Sequence, residues 1–225
     1  MAGRKNFVAG EILTASDVNS FLQDQTVMVF DDAAARGSAI PTPSEGMVTY
    51  RKDEKTVEVF DGSSFGPIGK ILQVVSATRT STFTTSSSSF VDVTGLTANI
   101  TPASASNKIL IMAQLAGGAA TTNNGALQMR LAGGNSSDYV GDSSDSRTRA
   151  IVSTIHITSE YRADNALVSL VGNFVDEPNT TSQITYSIQV RVHSGTGFVN
   201  RTASGATDAS RTSGASSLIL LEVAG

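Results

Sequence analysis

The chain has 225 residues, a formal net charge of −4 and no cysteine, so neither disulfides nor thiolate metal sites are available to it. Both parts are slightly acidic, with seven Lys or Arg against ten Asp or Glu in residues 1–70 and nine against ten in residues 71–225. This balance excludes a basic stripe for nucleic acid, and no segment approaches the ~20 apolar residues of a membrane span. The segment at 1–5 carries two basic residues but is not followed by a continuous apolar stretch, so we expect synthesis in a cytoplasm without a secretory signal.

The first predicted element is a helix that begins at Thr14. Its hydroxyl can cap the amide of Asp17, and Asp17 can reach back to the cap in a capping box. Val18, Phe21 and Leu22 follow at i, i+3, i+4 spacing and form an apolar stripe. The stripe docks either on its own domain or on another copy or a larger assembly.

A second short helix is predicted after this one. Asp31 or Asp32 can cap it, Ala33 to Arg36 form its turn, and Gly37 is expected to end it.

A β-hairpin is predicted next, with strands at residues 47–50 and 56–60 around a charged turn. Val48 and Tyr50 share one face of the first strand, and Val57 and Val59 share the matching face of the second. An isolated two-stranded hairpin is marginal in water, so it needs the upstream helix, the following β region or another copy as a neighbour. We expect another copy.

The composition changes near residue 70, after which apolar runs alternate with Ser, Thr, Gly and Asn. We divide the chain into an N-terminal module at 1–66, a linker at 67–70 and a β domain at 71–225. Nine strands are predicted in that domain, near residues 71–85, 89–101, 107–116, 125–132, 147–158, 165–175, 182–193, 197–202 and 217–223. The predicted fold is therefore mainly β, a jelly-roll-like antiparallel β-sandwich preceded by a small module of helix and hairpin. An immunoglobulin-like sandwich is the alternative, disfavoured by the number of strands and the lack of Trp.

Three patterns set the expected core. Residues 184–193 alternate strictly between apolar and polar, and residues 96–101 repeat this more briefly, as in half-buried antiparallel strands. Residues 109–112 and 218–221 are continuous apolar runs, which predict central strands covered on both faces. The Ser- and Thr-rich residues 78–90 read as strand and turn rather than as a disordered linker.

No constellation with catalytic chemistry is recognised. His156 and His193 are predicted to point away from the core, and the neighbouring carboxylates of Asp176 and Glu177 splay apart. We expect no catalytic residue, no cofactor and no metal site. The three aspartates of the Gly- and Ser-rich loop at 133–146 are interpreted as a solvated loop rather than a calcium site; they are Asp138, Asp142 and Asp145.

The N-terminal part resembles a known family. The phrases GEILTASDVN at 10–19, AAAR at 33–36, PSEGMVTY at 43–50 and VEVFDGSSF at 57–65 are similar to the N-terminal module of tailed-bacteriophage virion proteins of the minor tail, tail-fibre and head-fibre types. The family's hairpin often closes on Trp, where this chain has Phe65. Phrases in the second part, KILQVV at 70–75, FVDVTGL at 90–96 and NKILI at 107–111, resemble a recurrent β domain of phage structural proteins.

The resemblance implies a virion location and a fibre or spike subunit, expected to be a homotrimer that contacts other virion proteins through its N-terminal module. The residues expected at the oligomer or attachment interface are Val18, Phe21, Leu22, Val48, Tyr50, Val57 and Val59. Host-surface adhesion, with a cell-surface glycan as the expected target, is assigned to loops at 116–125 and 133–147. The candidate contact residues in those loops are Asn123, Asn124, Asp138 and Tyr139. The alternatives are a capsid decoration or cement protein without a receptor role and, less favoured, a carbohydrate-active enzyme.

Overall fold

The computed structural model describes residues 8–18, 26–69, 71–118, 126–135, 139–142, 146–154, 167–203 and 212–225. The fold is mainly β, as the sequence predicts. The chain divides into two compact units, Met1–Lys70 and Ile71–Gly225, which we call the N-terminal unit and the head. Within the described residues, no helix has the length and apolar character needed to cross a membrane.

In the part of the N-terminal unit that the structure describes, there are two short helices and four short strands. They are α1 (Ala15–Asp17), β1 (Met28–Phe30), α2 (Ala33–Ala39), β2 (Val48–Arg51), β3 (Thr56–Phe60) and β4 (Phe65–Pro67). The capping box is confirmed: the Asp17 amide donates to Thr14 Oγ1 at 3.1 Å, and the Thr14 amide donates to Asp17 Oδ2 at 3.1 Å.

Helix α2 is longer than expected. Asp32 caps it by accepting from the Ala35 amide at 2.7 Å, as predicted. However, the helix continues through Gly37 and ends at Ala39, so the expected end at Gly37 is wrong. Pro41 disfavours helical backbone at the residue before it, and this restriction stops the helix at Ile40 instead.

The hairpin of β2 and β3 is confirmed, with Val48 paired to Val59 and Tyr50 paired to Val57. Its neighbours come from the same chain. β1 pairs in parallel with β2 and β4 pairs antiparallel with β3, which gives a four-stranded sheet in the order β1-β2-β3-β4. The expectation that another copy completes the hairpin is therefore wrong for its hydrogen bonding.

The described residues of the head form ten strands. They are β5 (Ile71–Arg79), β6 (Phe83–Thr85), β7 (Val91–Ile100), β8 (Lys108–Gly118), β9 (Leu127–Ala132), β10 (Val152–Ser153), β11 (Leu167–Asp176), β12 (Ile184–Val192), β13 (Gly197–Val199) and β14 (Ser216–Val223). The single strand expected at 71–85 is two strands, because the chain turns after Arg79, whose guanidinium binds the carbonyls of Thr82 and Thr94. The Ser- and Thr-rich segment is thus strand and turn, as predicted.

Eight of these strands form four nested pairs, in which the first strand in sequence pairs with the last, the second with the second-last, and so on. β5 pairs with β14, β7 with β12, β8 with β11 and β9 with β10, all antiparallel. The eight strands therefore form one long antiparallel ribbon that folds over into two sheets. The order of the smaller sheet is β10-β9-β12-β7, and that of the larger sheet is β5-β14-β8-β11, with β6 and β13 added to the larger sheet. This is the jelly-roll order, and it excludes the immunoglobulin-like alternative.

The core lies between the two sheets and is formed by alternate residues. Tyr186, Ile188 and Val190 of β12 are fully buried, and Leu96 and Ile100 of β7 are buried opposite the larger sheet. The period-two predictions for both strands are confirmed. The continuous apolar runs at 109–112 and 218–221 are buried on their inner side, whereas on the outer side Leu110, Ile219 and Leu221 are half-buried and Met112 is 42% exposed. The prediction that these strands are covered on both faces is therefore wrong within one chain.

Candidate functional site

The predicted interface residues of the hairpin lie together on one face of the N-terminal sheet. We call this surface the N-terminal face. Val57 is 38% exposed, and Val48, Tyr50 and Val59 are half-buried. The parallel strand β1 extends the face with Val29, which pairs with Tyr50 and is 56% exposed. Exposed Ile68 lies beside β3, where its amide donates to the Val57 carbonyl at 3.1 Å.

The opposite face of this sheet is the covered one, although it is the more polar. Glu58 is buried there between two arginines: Arg36 of α2 binds Glu58 Oε2, and Arg51 Nε lies 3.3 Å from Glu58 Oε1. The Arg36 guanidinium also lies 4.2 Å above the Phe65 ring, and Phe65 packs on Phe60. The two phenylalanines and the ion-pair network therefore lie on the covered face, and the valines and Tyr50 lie on the outward face.

The remaining residues predicted at the interface are those of the apolar stripe after Thr14, namely Val18, Phe21 and Leu22. Val18 is 39% exposed at the end of α1. Phe21 and Leu22 lie outside the described residues. Sequence reasoning missed Val29 and Ile68, because neither residue belongs to the hairpin and only the sheet order brings them to the same face.

The two candidate ligand loops leave the head at opposite ends. The connection at 119–126 joins β8 to β9 at the end where Gly117 lies against Leu127. The connection after β9 begins at the other end, where Gly134 lies against Asp176 and β5 begins. The strand ends from which the two loops leave therefore lie at opposite ends of the head. Asn123, Asn124 and Asp138 lie outside the described residues.

Tyr139, the fourth predicted contact residue, packs onto the head. Its ring stacks on Phe174 with centroids 4.8 Å apart, and its hydroxyl donates to the Val175 carbonyl at 3.3 Å. Next to it, the buried Tyr186 hydroxyl donates to the buried carboxylate of Asp176. Burial, followed by the hydrogen bond to Asp176, raises the pKa of Tyr186, so that its hydroxyl remains a donor. These contacts hold the base of the 133–147 loop against the sandwich.

Gly133 and Gly134 allow this close approach. Both have positive φ, +105° and +52°, and a Cβ on Gly134 would collide with the Asp176 carboxylate. The Asn135 amide then donates to both carboxylate oxygens of Asp176 at 3.3 Å. Asp176 is therefore occupied by structural hydrogen bonds. Its neighbour Glu177 points elsewhere and pairs with Lys108 at 2.7 Å.

The outer face of the smaller sheet is polar, and sequence reasoning did not single it out. Arg130 Nε donates to Gln189 Oε1 at 2.8 Å, and its guanidinium lies 4.2 Å above the Phe90 ring. Gln189 Nε2 and Ser187 Oγ both donate to Asp92 Oδ1, at 3.0 and 2.7 Å. Only the pairing of β7, β12 and β9 brings these groups together.

Within the described residues, no group of three or more His, Asp or Glu side chains could hold a metal ion. His193 is exposed, as expected, whereas His156, Asp138 and Asp145 lie outside the described residues.

No protein-family model and no curated protein matches this sequence. Among solved structures, the chain is similar to one titled "Structure of infectious bursal disease virus Gt strain", with 13% identity and a TM-score of 0.33. The match covers 75% of this chain and 44% of that one, so this chain spans less than half of its length.

Proposed function

We propose that this chain is a structural subunit of a virus particle, of the fibre or spike type, that is displayed on the particle and adheres to a host surface. The observation that carries the proposal is that the two units present surfaces of different chemistry. A small N-terminal unit presents an apolar face around Tyr50 and Val57, and a jelly-roll head presents a polar outer face around Arg130 and Asp92. The resemblance of residues 7–65 to phage virion proteins supports the same assignment.

The N-terminal face is the proposed attachment surface. Its central residues, Tyr50 and Val57, are paired across the hairpin and flanked by Val29 and Ile68. The Arg36–Glu58–Arg51 network beneath them constrains the sheet from its other side. A rigid apolar face of this kind loses little conformational entropy when it binds another virion protein.

The proposed adhesive tip is the end of the head at which β8 ends and β9 begins. The chain enters the head at Ile71, at the opposite end, and the 133–147 loop also departs there. For this reason we propose the connection containing Asn123 and Asn124, which joins strand ends far from the point where the chain enters the head, as the contact loop. Weak contacts from each copy would be multiplied by the number of copies on a particle, with a cell-surface glycan as the proposed target.

The attachment role is tested by incorporation into particles. A Val57→Lys variant should fail to co-purify with virions, because a charged group would be buried at the attachment surface. Ser63→Lys, in the exposed turn between β3 and β4, is the matched control and should be incorporated normally. Equal incorporation of both variants would contradict the role of this face.

Adhesion is tested separately with purified chain on host cells. Replacing both Asn123 and Asn124 with Ala should lower binding, whereas Tyr139→Ala should leave it unchanged. A reduction that appears only with the Tyr139 variant would assign adhesion to the opposite end.

The alternatives predict different results. Gold labelling of the chain on intact particles at the head surface, together with no binding to cells, would identify a capsid decoration protein. Release of sugars from host polysaccharide would identify a carbohydrate-active enzyme.

A further inference from the structure

The larger sheet of the head has an apolar outer face at one end. Pairing across β11, β8, β14 and β5 places Val175, Leu110, Leu221 and Val74 in one row. The next row contains Met112 and Ile219 between Asn173 and Ser76. We call the apolar residues of this surface the outer patch: Ile71, Val74, Leu110, Met112, Val171, Val175, Ile219, Leu221 and Val223.

The outer patch explains an anomaly in the sequence. An antiparallel sheet with one solvated face is expected to alternate between apolar and polar residues. β12 alternates in this way, but residues 109–112 of β8 and 218–221 of β14 are apolar on both faces. Their inner side chains fill the core, whereas Val74 is 60%, Val175 53% and Met112 42% exposed on the outside. The sequence is that of a sheet covered on both sides.

The smaller sheet provides an internal comparison. Its outer positions hold Asp92, Arg130, Gln189 and Arg191, joined by hydrogen bonds to one another or to neighbouring hydroxyls. One sandwich therefore has a polar outer face and an apolar outer face. Because both sheets belong to the same unit, a general tolerance of exposed apolar residues does not explain the difference.

The size and the rim of the outer patch indicate what covers it. Its five most exposed side chains leave on the order of 500 Å² accessible, at the upper end of the largest patch on a typical monomer. The surrounding half-buried residues bring it towards the ~800 Å² that each partner contributes to a standard interface. The rim is polar: Lys108 pairs with Glu177 at 2.7 Å on one side, and Gln114 and Ser169 lie on another.

The charge-poor centre favours a particular class of partner. Homo-oligomeric interfaces are more apolar than those of proteins that associate transiently, which resemble ordinary surface. We propose that the outer patch is covered by a second copy of this chain, as the contact between heads in the assembled subunit. Sheet packing at about 10 Å would bury the valines and Met112 against a neighbouring head. This inference specifies the homotrimer expected from the sequence and rests on the proposed function only for its place in a particle.

The test compares charge placed on three surfaces of the full-length chain. Light scattering should show an oligomer for the wild type, and Val74→Lys should raise the concentration needed for assembly by about tenfold or more. Thr97→Lys, on the polar outer face of β7, is the matched control and should assemble like the wild type. Val57→Lys, on the N-terminal face, should also leave assembly of the heads intact. Because Val74 is exposed, its variant should keep the wild-type circular dichroism spectrum.

A second measurement follows the patch directly. The chain has no cysteine, so Met112→Cys introduces a single thiol at its centre. Maleimide labelling of that thiol should be about tenfold slower in the oligomer than in a Val74→Lys background. In the control variant Thr97→Cys, the thiol should react equally fast with and without Val74→Lys.

A monomeric wild type with a fast-labelling Met112→Cys thiol would overturn the inference. So would an oligomer that Val74→Lys leaves intact, or one that only Val57→Lys dissociates. Failure of the chain to enter particles would contradict the proposed function, yet dissociation by Val74→Lys would still support the contact between heads.

Discussion

Glu222, near the end of β14, provides the most direct test of how the head is held together. The residue is 1% exposed, and its carboxylate accepts hydrogen bonds from Asn107 Nδ2 at 2.6 Å, Gln73 Nε2 at 2.6 Å and the Ala103 amide at 2.7 Å. These donors belong to β5 and to the turn between β7 and β8. One side chain therefore joins three separate segments of the jelly roll.

The perturbation is Glu222→Gln, which preserves shape and removes the charge. One carboxylate oxygen becomes an amide NH2 group that faces Gln73 Nε2, so two hydrogen-bond donors meet and neither has an acceptor. Gln73 could turn its amide, but it would then lose its own bond to the Thr101 carbonyl. A hydrogen bond to a charged group is worth about 1.5–3 kcal/mol, so we expect the variant to lose about 2–4 kcal/mol of unfolding free energy. For a chain of this size, that loss lowers Tm by roughly 5–10 °C.

The effect should depend on pH. Burial alone would raise the pKa of Glu222, but the hydrogen bonds from Asn107, Gln73 and the Ala103 amide outweigh it and hold the pKa below its ordinary value. A carboxyl with a lowered pKa in the folded state adds stability that is present above the unfolded-state pKa and is lost as pH falls through the folded pKa. The difference in Tm between wild type and variant should therefore be largest near neutral pH and should shrink below about pH 4.

Thermal unfolding followed by circular dichroism at several pH values provides the measurement. Glu177→Gln is the matched control, because Glu177 makes one exposed ion pair with Lys108 and should change stability by less than about 1 kcal/mol. A Glu222→Gln variant as stable as the wild type at neutral pH, or a difference that does not change with pH, would refute the reasoning.

Three further substitutions test other parts of the structure by urea or thermal unfolding. Leu220→Ala should cost about 2–5 kcal/mol because Leu220 is fully buried between the sheets, whereas Leu221→Ala on the outer face should cost clearly less; equal costs would contradict the assigned faces. Gly134→Ala should destabilise the head by more than about 1 kcal/mol because it adds a Cβ at positive φ against a buried carboxylate, and Gly66→Ala, where the added Cβ meets nothing within 4 Å, is the control. Glu58→Gln should cost about 3–5 kcal/mol by leaving two arginines without their shared carboxylate, and a neutral effect would show that the network does not stabilise the N-terminal unit.

Local patterns predicted most elements correctly. The alternation of residues 184–193 reflects a sheet with one solvent-exposed face and one buried face, and the structure buries Tyr186, Ile188 and Val190 accordingly. The capping box at Thr14 and the hairpin register of Val48 with Val59 also depend only on neighbouring residues. The end of α2 was missed because the restriction that Pro41 imposes at Ile40, rather than Gly37, decides it.

The candidate site was less predictable. The hairpin valines were identified, but Val29 and Ile68 join them only through β1 and β4, and β1 lies almost twenty residues before the hairpin. The two candidate ligand loops have similar compositions, yet the strand order puts the strand ends from which they leave at opposite ends of the head. The polar face around Arg130 could not be foreseen either, because its members come from three strands distant in the chain.

The sequence by itself determined the β character of the head, the position of most strands and which side chains of β7 and β12 face inward. These follow from the period of two that backbone geometry imposes on any strand. Only the tertiary structure decided which strands pair with which, and therefore that β8 and β14 lie side by side with apolar residues on their outer face. A strand's own residues determine its two faces, but which strands become neighbours depends on burial summed over the whole sandwich.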